Sequence, residues 1–351
     1  MKIDKLTSKE RMSNLILGKE IDRVPFISAS TMYAGTISGL SSEEFFLNQQ
    51  KSFDAQKLCI ELHGCDGSPG FDLPGWIGWD FGSNLTFVEG AHVCIPKLEP
   101  IIKSKIDIDK LCMPDIHNAF AFNKRLEFYK IAKKEGLSAS VPAGSPLEIV
   151  GEIVDTSLLM KWFYKEPELV HELLRLTTDY LLKVADLYID EFGVDNCCAS
   201  SNYPLESNTL ISPKLFEKFS LPYIVEIHDK FKEKGIPSYS VHLCGDHKRN
   251  IDYFKELNLP DRSFVSVSEK LDIEMVAKSF GDDYIIGGNV PTHVIQSGTP
   301  NEVFNVSKDI IEKMKYHPGG FVLMPSCDLP PNTPPLNLYA MLKAVQTCGC
   351  Y

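Results

Sequence analysis

Apolar residues in this chain change their period from one segment to the next. In PELVHELLRLTTDYLLKVADLYIDEFG (167–193) they recur every three or four residues and the run stops at a glycine, which predicts one long amphipathic helix. Residues 212–235 repeat the pattern. Ser212 stands where an N-cap is needed, Pro213 takes the first helical position and Gly235 ends the run. Residues 41–62 and the N-terminal MKIDKLTSKERMSNLILGKE also carry helical spacing. The apolar runs at 24–30, 137–144, 194–201, 237–245, 263–269, 283–290 and 319–327 are too short for helices and read as strands. Apolar strands separated by helices predict a parallel sheet covered on both faces. Seven strands are legible and the eighth is expected in the ambiguous region 85–98. Eight such units close into a single (β/α)8 TIM barrel with an N-terminal helical extension. An open doubly wound sheet is the alternative, but no GxGxxG follows a first strand. Residues 64–100 are rich in Gly, Pro and aromatics. They read as a long ordered loop, because Phe71, Trp76, Trp79 and Phe81 would not stay solvated.

The 351 residues suit one barrel domain spanning 1–351. A formal net charge of -11 leaves no basic footprint for nucleic acid. No apolar run has the roughly 18 residues a membrane span needs, and the N-terminus lacks a signal-peptide core. The expected setting is the cytoplasm. Ten cysteines in so long a chain are not a disulfide scaffold; they are buried thiols, reactive thiols or metal ligands.

SVHLCGDH (240–247) holds the sharpest chemical signal. Residues two apart on a strand face one side, so His242 and Cys244 project together at the strand's carboxyl end, where barrel active sites are built. The last strand leads to Cys327, which barrel closure brings to the same rim. One histidine and two cysteines suit zinc, and three protein ligands leave a fourth position open, as in catalytic sites. The competing reading is a core histidine with two buried thiols. His247 could replace His242, and the CGC at 348–350 is a second metal candidate, more simply a frayed terminus. Glu206 is a candidate fourth ligand or substrate contact, or else a solvated loop carboxylate. Ser200, Ser201, Asn202 and Asn289 are candidate substrate contacts at strand ends. Cys197 and Cys198 cannot both face the interior. Asp22 and Arg23 read as a structural pair, and Trp76 and Trp79 as core or lid.

ERMSNLILGKEIDRVPF at the start, then SPLEIVGEIV, ISPKLFEKFSLPYI, HLCG, IIGGNVPTHVIQSGTPNEV and PSCDLPPNTPPLNLYAMLKAV, together resemble the uroporphyrinogen decarboxylase superfamily over nearly the whole chain. The resemblance implies a single (β/α)8 barrel and one of two activities: decarboxylation of uroporphyrinogen, or methyl transfer between a corrinoid protein and a small molecule. In the methyltransferase branch, which includes methylcobalamin:coenzyme M methyltransferases, a His-x-Cys motif and a late Cys bind zinc; His242, Cys244 and Cys327 match that pattern. The decarboxylase needs arginines to grip a polycarboxylate. The loop after the first strand, SASTMYAGTISGL, has none, and the chain holds only six, mostly in or beside predicted helices.

The function expected is therefore a zinc-dependent methyltransferase moving a methyl group between a corrinoid (methylcobalamin) and a small thiol such as coenzyme M. Zinc deprotonates a thiol outright, and two cysteinates keep the site electron-rich. In the donor direction, the metal would act as a Lewis acid on a methoxylated aromatic or methylamine-type compound. No Asp-x-His-x-x-Gly corrinoid motif occurs, so the corrinoid would arrive on a separate binding protein. Neither nucleic acid nor membrane is expected as a partner, and an oligomer is admitted. A non-catalytic barrel that keeps a metal for stability is the alternative from another class.

Overall fold

The computed structural model describes residues 4–351. A short antiparallel hairpin, β1 (Asn84–Thr86) and β2 (Lys97–Glu99), stands apart from the main sheet. The main sheet is parallel and ordered β3 (Ala139–Pro142), β4 (Cys197–Asn202), β5 (Ser238–Leu243), β6 (Phe264–Val267), β7 (Ile285–Val290) and β8 (Phe321–Pro325). Residues 24–27 continue it beyond β8: Phe26 bridges Leu323, and Ile27 N–H donates to the Leu323 carbonyl at 3.0 Å. The stretch after Gly64 comes next, through Asp66 N–H to the Phe26 carbonyl at 2.6 Å. These eight positions make a (β/α)8 barrel.

The eighth strand is thus not in 85–98. Those residues form the hairpin, where Leu85 is the one buried strand position and the others are exposed or half-exposed, whereas a barrel strand must be buried on both faces. The true eighth position, 65–70, is irregular, and its glycines and proline hid it. Side chains do part of the work a ladder would do there. Gln56 Nε2 donates to the Gly70 carbonyl at 3.0 Å, and Gly70 N–H to Gln56 Oε1 at 2.9 Å. Arg125 Nη2 donates to the Ser140 carbonyl on the open edge of β3 at 2.5 Å.

The predicted helices form with two interruptions. The 41–62 segment breaks at Asn48, whose side chain caps the second piece. The 212–235 segment breaks at Ser220, ahead of Pro222, which has no N–H to continue the ladder. Ser212 caps the first piece through Leu215 N–H. The long helix Pro167–Phe192 is continuous and ends at Gly193. The N-terminal helix is Ser8–Ile16, and residues 1–3 of that segment lie outside the described residues. Among the described residues no helix is long and apolar enough to cross a membrane.

Strand alternation sorts the barrel interior into two halves. On β3–β5 the outward residues Val141, Ala199 and Val241 are buried, and Tyr239 stacks on His228 of the helix Leu221–Glu233 at 5.6 Å. The inward residues are small and polar: Ser140, Cys198, Ser200 and Ser240, in register, with His242 at the top. On β6–β8 the inward side is apolar below Ser266, the register partner of His242. Ile285 and Val322 pack with Ile27 and Phe264, and Leu15 of the N-terminal helix closes them from below. A Cβ on Gly287 would lie 2.3 Å from the Phe264 ring, so the ring crosses the interior only because that position is glycine. The filled half and lower plug leave polar space along β3–β5, opening at the carboxyl rim.

The opposite rim is sealed by charge. Arg11 Nε meets Asp22 at 2.7 Å and its Nη1 meets Asp66 at 2.5 Å; Arg23 Nη1 meets Asp66 at 2.7 Å. Asp22 and Arg23 belong to one network but pair with other residues, since adjacent side chains diverge. The CGC terminus is anchored rather than frayed. Arg23 bridges Cys350, and Val24 N–H donates to the Gly349 carbonyl at 2.9 Å.

Candidate metal centre

His242 is the penultimate residue of β5, Cys244 lies one residue past it and Cys327 two residues past β8. One ligand atom from each falls within 4.8 Å of the others, and among the described residues this is the one group of three or more such side chains. The two sulfurs are 3.9 Å apart. His242 Nδ1 lies 2.9 Å from Ser266 Oγ on the neighbouring strand β6. Its Nε2 is buried and has no hydrogen-bond partner. A buried ring nitrogen without a partner is costly unless something outside the protein takes its lone pair. With a proton on Nδ1 donated to Ser266, Nε2 is free as a ligand atom, the usual second contact of a metal-bound histidine. The donor set fits zinc. The hydrogen bond from Cys244 and the contact with His242 hold the Cys327 thiol well below its usual range. The same sulfur–sulfur contact and burial push the Cys244 thiol up.

Half-buried carboxyls crowd the same rim. Thr31 Oγ1 lies 2.8 Å from Asp72 and 2.9 Å from both oxygens of Asp328, next to Cys327. One hydroxyl proton cannot serve both carboxylates, so the second contact needs a proton on one of them. Burial pushes both aspartates up, Asp328 strongly with Asp72 beside it. A cavity of about 480 Å³ opens alongside, lined by Asp72, Trp76, Arg125, Glu148, Glu152 and Asn202 among others. Burial raises Glu148 well above the carboxylate range and Glu152 to about 7, the latter against a hydrogen bond from Gly78 N–H at 2.7 Å.

The remaining predicted residues divide. Asn202 lines the cavity and pairs in register with His242. Ser200 shares the inward face, whereas Ser201 is buried on the other. Asn289 gives its amide to the Ser268 and Leu271 carbonyls at 3.1 and 3.0 Å, which ties down a loop rather than reaching a substrate. Glu206 does not join the donor set. It is fully buried, not solvated, accepting from Ser145 and from Ser220 at 2.7 Å, and burial lifts it to about 7. His247 Nε2 lies 3.0 Å from the carbonyls of Tyr203 and Cys244, so it braces the loop that carries Cys244. Cys197 is buried on the outer face and Cys198 turns inward. Trp76 walls the cavity; Trp79 packs on Phe87 and Phe120.

The sequence reading missed Asp72, Arg125, Glu148, Glu152 and Asp328. Asp328 follows Cys327 directly, and Glu148 and Glu152 sit four apart on the apolar helix Pro146–Ile153, where two carboxylates are out of place. Those were usable signals. Arg125 gave none, because it enters the mouth from a helix.

The uroporphyrinogen decarboxylase (URO-D) family model matches residues 7–348. The chain is 26% identical over 360 residues to the methylcobamide:CoM methyltransferase MtbA of Methanosarcina acetivorans, covering 97% of this chain and 98% of that one. It is 25% identical over 310 residues to the uroporphyrinogen decarboxylase of Chlorobaculum tepidum, covering 82% and 81%. A solved methyltransferase from Methanosarcina mazei superposes with a TM-score of 0.79 at 19% identity, over 97% of this chain and 99% of that one, which supports the barrel.

Proposed function

The chain belongs to the uroporphyrinogen decarboxylase family, and we propose that it is a zinc-dependent methyltransferase moving a methyl group between a corrinoid protein and a small thiol such as coenzyme M. It is a methyl-transferring enzyme, in keeping with the methyltransferases that match it end to end. The observation that carries the finer reading is the convergence of His242, Cys244 and Cys327 at the barrel mouth, with His242 Nε2 buried and unpartnered. These three residues would hold zinc, which when bound lowers the pKa of an incoming thiol. Ser266 fixes the ring and its tautomer, and the two cysteines supply negative charge that keeps an arriving sulfur nucleophilic. The apolar half of the barrel and the Leu15 plug keep water from entering below. A separate corrinoid protein would dock over the mouth, since the chain has no corrinoid motif of its own. The ten free cysteines fit a reducing cytoplasm. The decarboxylase alternative has little support. Of the six arginines only Arg125 lines the cavity, too few to grip a polycarboxylate.

The test is purified protein with free methylcobalamin and a panel of thiols, followed by the cobalamin spectrum and by zinc content. We expect about one zinc per chain, as for one three-ligand site. Demethylation of the cobalamin should depend on thiol, and Cys327→Ala should abolish it together with most of the metal. Full metal retention in Cys244→Ala and Cys327→Ala, or turnover of uroporphyrinogen, would overturn the proposal.

A further inference from the structure

Arg125 carries a buried charge with no carboxylate in contact with it. The residue is only 7% exposed, and among the described residues no carboxylate lies within ion-pair distance. Of its five N–H groups, those on Nη2 reach the Ser140 carbonyl at 2.5 Å and its hydroxyl at 3.3 Å, while Nε has no acceptor. Four rings surround the guanidinium: Phe71, Trp76, Tyr129 and Tyr188, at 5.3, 5.3, 5.1 and 5.9 Å from their centroids. Ring faces attract a cation but do not neutralise it. Bonding the open edge of β3 requires one neutral donor, so that task does not explain a full charge. The carboxyls lining the same cavity are poor counterions. Burial pushes Asp72 toward its neutral form although Arg125 acts against that shift from a distance, and burial does the same to Glu148 and Glu152.

The cavity runs from this charge to two residues that adjoin the metal donors. Asn202, on its wall, is the register partner of His242. Asp72, also on its wall, is joined through Thr31 to Asp328, the neighbour of Cys327. A small molecule whose sulfur lies at the donor set can therefore lay its other end along the cavity toward Arg125. We propose that Arg125 binds the anionic tail of the thiol substrate, a sulfonate or carboxylate, and so makes the enzyme select small anionic thiols over neutral or cationic ones. The identity of the reacting end rests on the methyl-transfer reading; the tail contact does not.

The test separates the two. Propane-1-sulfonate, which has no thiol, is titrated calorimetrically into the wild-type protein beside its neutral isostere methyl propyl sulfone and beside propylammonium; butyrate replaces the sulfonate in a second series to show which anion is preferred. The sulfonate or the carboxylate should bind at least about tenfold tighter than the sulfone, the scale of hydrogen bonds to a charged group, and quench Trp76 fluorescence. Arg125→Met should remove that preference, and Arg125→Lys, which keeps the charge but loses the fork, should retain part of it. Equal binding of anion and sulfone by wild type, or tighter binding of propylammonium, overturns the proposal whether or not the variants fold. Anion binding that depends on Arg125 in a protein that methylates no thiol leaves this site standing and removes the proposed acceptor instead.

Discussion

At the N-terminal rim Arg11 and Arg23 meet Asp22 and Asp66, and Asp66 also accepts Phe26 N–H at 2.8 Å, so each charge there has a close opposite. At the carboxyl rim Arg125 and Glu206 are buried as deeply, and His242, Asp72 and Asp328 partly, but they are unmatched. His242 Nε2, Arg125 Nε and Glu206 Oε2 have no partner, and Asp72 and Asp328 share one hydroxyl. The lower cluster ties the N-terminal helix, the first strand and the stretch after Gly64 together, and needs nothing from outside. The upper one is incomplete in the way a binding site is, with stability given up where a ligand must supply the missing charge or lone-pair acceptor. The two also respond oppositely to pH. Although burial opposes it, hydrogen bonds from Arg11, Leu6 and Lys5 hold Asp22 well below the carboxylate range. Its contribution is present above the unfolded pKa and is lost as pH falls. Glu152 and Glu206 are raised by burial to about 7. The folded state binds their protons more tightly than the unfolded chain does, so stability falls as pH rises from about 4.5 to about 7 and then levels off.

The largest effect is expected at the matched rim. Asp66→Ala strands two buried guanidinium groups and should cost about 3–5 kcal/mol in urea unfolding, with zinc per folded chain unchanged. A loss under about 1 kcal/mol would mean the lower network is ornamental and the contrast between the rims false.

Glu206→Gln sharpens the contrast from above. It keeps an oxygen for Ser145 and Ser220 but removes the titration. Relative to wild type it should gain stability from pH 5 to pH 8, by at most about 3 kcal/mol at the upper end. Thermal unfolding across that range reads it, and a difference that shrinks with rising pH would contradict the burial account.

How much of this was legible in the residues follows the same division. The long helix 167–193, the strands of the main sheet and the His242, Cys244 and Cys327 trio all express a simple period or a motif at a strand end, and the chain alone exposes such signals. The stretch 65–70 has no period, because its backbone is held by isolated bonds, Asp66 N–H to the Phe26 carbonyl and Gly70 to Gln56, and not by a ladder. The breaks at Asn48 and Ser220 depended on one residue within an otherwise unbroken helical pattern. Arg125 reaches the cavity from the helix Phe120–Lys134, and Glu206 turns inward from a loop. Both depend on tertiary placement that no local spacing encodes.

The smallest effect is expected at Ser266, which touches the donor set only through His242 Nδ1. Ser266→Ala should weaken zinc binding about 10- to 100-fold, measured by competition with a chelating dye, while metal-free protein melts within a degree or two of wild type. Unchanged zinc affinity would show that the hydroxyl does not orient the ring.

Zinc K-edge X-ray absorption with and without a small anionic thiol tests the central claim most directly. The resting spectrum should show two sulfur neighbours and one imidazole nitrogen, from Cys244, Cys327 and His242, completed by a light atom. Adding the thiol should replace that light atom with a third sulfur at about 2.3 Å. A metal shell unchanged by a thiol that is nonetheless methylated, or a metal bound without those three residues, would contradict the account.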